Sequence, residues 1–176
     1  MRNSIPMLAT LVLSACGGSN SSNDGGTGGM DYAPPYVGAW TGMATATANG
    51  NSITNTVEVP IEETGTNVIE LQGFCADTDA YATGPMADVT SSGFTFRSDS
   101  CHWASADCTA GNLTFVVTSG SGTLSNGQLS FTFDGSVSCG SQTVTISLTY
   151  SASQKGAYGS STASGHGFGS AIRSFQ

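Results

Sequence analysis

Strict alternation of apolar and polar side chains constrains this chain more than anything else in it. Val57, Val59 and Ile61 alternate with Glu58, Pro60 and Glu62, and Leu113, Phe115 and Val117 flank Thr114 and Val116. Leu129, Phe131 and Phe133 alternate with Ser130, Thr132 and Asp134; Val144, Ile146, Leu148 and Tyr150 alternate with Thr145, Ser147 and Thr149. Successive strand side chains point to opposite faces, so each segment has one face for a core and one for water. That is the pattern of antiparallel sheet. Turn residues fall between the segments: Asn49-Gly50, Ser91-Ser92-Gly93 and Asn126-Gly127. Asn-Gly supplies the two successive positive φ values that tight hairpins need. The pattern predicts eight strands, at 38–48, 53–63, 67–74, 84–90, 93–98, 112–124, 128–138 and 143–151, and no long amphipathic helix. A meander of eight strands leaves two open edges, which closure removes. The expected fold is therefore all-β, an antiparallel up-and-down barrel of about eight strands over 36–154, with a β-sandwich as the alternative.

The flanking segments differ in kind. Arg2 and a short apolar run lead into Leu13-Ser14-Ala15-Cys16. A positive start, a short apolar stretch and small residues at its end mark a secretory signal, too short to span a membrane. Leu-Ser-Ala-Cys resembles the bacterial lipobox. That resemblance implies a lipoprotein signal peptide at 1–15, cleavage before Cys16, and a lipid anchor on Cys16, its thiol lipidated and the new amino terminus acylated, with palmitate as an acyl chain. More than one acyl chain gives stable anchoring. Residues 16–35 form a Gly/Ser/Asn linker closed by Pro34-Pro35, without the periodicity of a core. About twenty flexible residues span roughly 25 Å. Residues 155–176 are again Gly/Ser-rich, a composition expected to remain disordered. Gly17 is not the Asp associated with inner-membrane retention, so the expected location is the cell envelope, at the outer membrane.

Charge narrows the partners. The chain carries 12 acidic and 4 basic residues, and loss of Arg2 with the signal leaves 12 against 3. Such a surface disfavours nucleic acid, whose phosphates are held by clustered Lys and Arg. It equally disfavours an electrostatic grip on anionic headgroups, leaving the acyl chains as the link to the membrane.

Gly38-Ala39-Trp40 opens the first strand. It resembles the Gly-x-Trp motif of lipocalins and related calycin barrels. The resemblance implies that Trp40 plugs the closed barrel end and that the barrel is lipocalin-like. The basic residue that packs on the Trp in that family has no counterpart at a matching spacing; Arg97 and Lys155 do not fit. Gly38, Trp40, Gly42, Ala44, Ala46 and Ala48 share one face of the strand. Pointing inward, this face leaves room for a small hydrophobic ligand unless Phe94, Phe96, Phe115, Phe131 and Phe133 fill it.

Setting Cys16 aside, Cys75, Cys101, Cys108 and Cys139 form an even set suited to an oxidising compartment. Three connectivities are possible. The strand map brings Cys75, Cys101 and Cys139 to one barrel end, with Cys108 beside them, and hairpin registers favour Cys75–Cys101 and Cys108–Cys139. Each closure contributes about 3–4 kcal/mol through loop entropy. The 99–111 segment is expected as a pinned loop, and His102 and Trp103 in it are the candidate recognition residues.

Catalytic and metal patterns are weak. Cys101, His102 and Cys108 lack paired zinc spacing. Asp77-Thr78-Asp79 lacks the rest of a calcium loop. Glu62-Glu63 reads as solvated charge, and His102 with Asp99 or Asp107 has no Gly-x-Ser-x-Gly nucleophile. His166 stands in a Gly-rich run that neither follows a strand nor opens a helix. No catalytic residue, metal or cofactor is expected. The expected role is a non-enzymatic interaction scaffold anchored to the membrane through Cys16, with an envelope protein as partner; carriage of a small apolar ligand is the alternative.

Overall fold

The computed structural model describes residues 29–75, 83–105 and 108–154. The signal segment, Cys16, most of the linker, Asp77, Asp79, Asp107, His166 and the 155–176 tail lie outside these residues.

Nine antiparallel segments follow one another: β1 Gly38–Ala48, β2 Asn51–Gly65, β3 Val68–Leu71, β4 Met86–Thr90, β5 Gly93–Phe96, β6 Asp99–Ala104, β7 Asn112–Ser125, β8 Gln128–Cys139 and β9 Gln142–Gln154. Each pairs with its sequence neighbour except β5 with β6; β1 also pairs with β9, and β5 with β7. These pairings close the sheet on itself, which excludes the sandwich. Asn49-Gly50 and Asn126-Gly127 make the hairpin turns, all four residues at positive φ.

The nine segments make eight staves, and the 99–111 loop reading is what needs correction. Phe94 pairs with Gly122 and Thr95 with Ser121, while Asp99 through Ala104 pair with Val117 back to Asn112. Both sets lie on one register, so β5 and β6 are a single stave interrupted at Arg97-Ser98. The ring thus has eight staves, the fifth of which runs on through what the sequence suggested was a loop. The signal for β6 is faint because Asp99-Ser100-Cys101-His102-Trp103-Ala104 contains no β-branched residue. Strand ends shift as well: β2 extends to both hairpin turns, and β4 begins only after Pro85, which has no amide hydrogen for a ladder.

Alternation sorts the side chains as expected. Ala44, Ala46 and Ala48 of β1 point inward and are buried, as are Leu129, Phe131 and Phe133 of β8. The outer face of β1, β2 and β7–β9 is rich in hydroxyls, with Thr45 bonded to Thr54 and Thr47 to Ser52, each at 2.8 Å. Phenylalanines share the buried core with the alanines. An edge-on chain of rings runs from Tyr36 to Phe94 (5.4 Å between centroids), Phe96 (5.5 Å), Phe133 (5.5 Å) and Phe115 (5.7 Å). Phe74 stacks on Phe115 at 5.9 Å, and Phe131 lies 4.8 Å from Tyr150. Such edge and offset contacts are the favoured aromatic geometries.

Candidate functional site

The two barrel ends differ. At the base, Pro34–Tyr36 forms a 3-10 turn leading into β1. Trp40 is buried there, its Nε1 donating to the Tyr36 carbonyl at 2.7 Å. The hydroxyl of Tyr150 donates to the Trp40 carbonyl at 2.7 Å. Burial, and secondarily the charge of Glu58, raises the Tyr150 pKa, so the phenol keeps its proton. Tyr150 therefore stands against Trp40, while Arg97 is committed on the outer face to Asp88 at 2.6 Å. Gly38 sits at φ 135°, a backbone region an L side chain rarely adopts. The glutamine closing β9, Gln154, donates from Nε2 to the Val37 carbonyl at 3.2 Å, so the barrel domain begins and finishes at this end.

The entering arm is stapled to the β2–β3 turn. Asp31 Oδ1 accepts from the amides of Ala33 and Asn67, each at 3.0 Å, and Asn67 Oδ1 accepts from Tyr32 N at 2.6 Å. Asn67 lies at φ 58°, the left-handed conformation Asn tolerates. The two backbone bonds lower the Asp31 pKa, whereas a side-chain hydrogen bond to Asp31 raises that of Glu63.

The opposite end carries the cysteines. Cys75 is bonded to Cys101 and Cys108 to Cys139, the two pairs expected from the strand map. Their Cα separations are 5.7 and 5.5 Å. The Cys108 loop has support of its own: Ser105 N donates to the Gly111 carbonyl at 3.1 Å and Gly111 N to the Cys108 carbonyl at 2.8 Å.

The candidate recognition residues are split by the fold. Trp103 and His102 are on strand β6 rather than on a loop, and their side chains leave by opposite faces. Trp103 points inward and is buried in the core. His102 is exposed, its Nδ1 2.8 Å from Thr114 Oγ1 on the neighbouring strand. An aromatic recognition patch built on Trp103 is therefore excluded. Cys101 and Trp103 alternate with exposed Ser100, His102 and Ala104 along this strand.

Sequence reasoning missed a seam beside β6. The ladder between β4 and the fifth stave ends at the bond from Arg97 N to the Met86 carbonyl, 2.9 Å. Beyond it, Pro85, Gly84 and Thr83 bond towards β3 instead. Leu71 N donates to the Pro85 carbonyl, Cys75 N to the Thr83 carbonyl, and Gly84 N to Glu70 Oε1, at 3.0, 3.1 and 3.0 Å. A narrow crevice remains, bounded by Gly84 and Pro85 on one side, Asp99 to Cys101 on the other, and Phe115 and Val117 beneath. It has room for about one water. The signal that could have found it is Pro85 in front of an alternating segment.

No family model matches the chain, and no curated protein does. Among solved structures, it is similar to a Bacteroides fragilis chain provisionally described as an outer membrane protein, with 16% identity and a TM-score of 0.44. The match covers 68% of this chain and 51% of that one, so this chain spans about half of its length. Likeness at this level carries no information on location or function.

Proposed function

We propose that this protein is a lipid-anchored envelope lipoprotein whose barrel is a filled, non-enzymatic scaffold for interaction with an envelope partner. The observation that carries the scaffold reading is the aromatic chain from Tyr36 to Phe115, whose rings are buried in one core with Ala44, Ala46 and Ala48 of β1. A hollow barrel holds a guest; a barrel filled by its own side chains does not. Anchoring rests on the lipobox-like Leu13-Ser14-Ala15-Cys16. The outer membrane is the membrane proposed, from Gly17 after the lipidated cysteine.

The experiment is expression of the full chain and of Cys16→Ala in a bacterial host, followed by membrane fractionation and mass analysis of the mature amino terminus. Acylated Cys16 in the outer-membrane fraction, and its loss in the variant, would support the reading. An unmodified Cys16 in a soluble fraction would overturn the anchor and leave the scaffold to be judged by ligand content.

A further inference from the structure

No further inference is drawn: the strongest candidate, the shallow trough on the outer face of β7 and β8 walled by Ser121, Thr123, Ser130 and Thr132, is a sheet face of small hydroxyl side chains, and nothing in the structure shows what covers it.

Discussion

The hydroxyl of Tyr150, on the last strand, donates to the carbonyl oxygen of Trp40, near the start of the first, at 2.7 Å and across 110 residues. The same hydroxyl lies 3.4 Å from the Val57 carbonyl on β2. One buried phenol thus reaches the backbone of both the first and second strands from the strand that closes on β1. Its ring meanwhile packs on Phe131. Tyr150→Phe keeps the ring and removes the donor from a buried site. Destabilisation of about 1–3 kcal/mol is expected, measured as a lower denaturant midpoint with unchanged slope.

Filling of the barrel makes a second prediction. Phe133 is buried and touches the rings of Phe74, Phe96, Phe115 and Phe131. Phe133→Ala should cost about 3–5 kcal/mol and leave an apolar cavity. A variant that survives should bind benzene-sized apolar molecules that the wild type does not, read as a rise in melting temperature on ligand addition.

Close approach of strands sets a third. A Cβ on Gly122 would stand 2.6 Å from Phe94 Cε1 and 2.7 Å from Phe131 Cβ. Gly122 is paired with Phe94 in the short β5–β7 ladder that closes the ring. Gly122→Ala should therefore destabilise by about 1–3 kcal/mol, and exchange of 93–96 should accelerate before that of β1 or β9. Gly127→Ala, at a turn with open space but φ 74°, should leave the β5–β7 ladder protected.

The arm staple predicts a pH dependence of two signs. Asp31, with its pKa lowered by backbone bonds from Ala33 and Asn67, favours the folded state above its ordinary pKa. That contribution is lost as pH falls through the lowered value. Glu63, raised chiefly by its hydrogen bond to Asp31, favours the folded state below its ordinary pKa and loses that contribution as pH rises through the raised one. Carboxylate NMR titration should show the two moving apart, and Asp31→Asn should change the Glu63 titration. Identical titrations in both proteins would contradict the coupling.

Much of this was legible in the residues, for identifiable reasons. Leu129, Phe131 and Phe133, or Ile146, Leu148 and Tyr150, alternate over a long run, so face, direction and pairing follow from local pattern. Asn49-Gly50 and Asn126-Gly127 specify their turns through backbone conformation alone. The cysteine pairs followed because strand direction fixes which chain ends meet. β6 was not legible: its order comes from the β7 ladder and the Cys101 link, both remote in sequence. Nor could the sequence decide between hollow and filled. Alanines at 44, 46 and 48 and phenylalanines at 94, 96 and 133 are compatible with either until their rings are placed. The Tyr150–Trp40 contact was invisible for the same reason.

Native mass spectrometry of the full protein, extracted from its host membrane and compared with an unfolded control, tests the filled scaffold most directly. The expected result is one mass, that of the acylated chain, unchanged by unfolding. A discrete small-molecule adduct that leaves on unfolding would contradict it and establish a carrier.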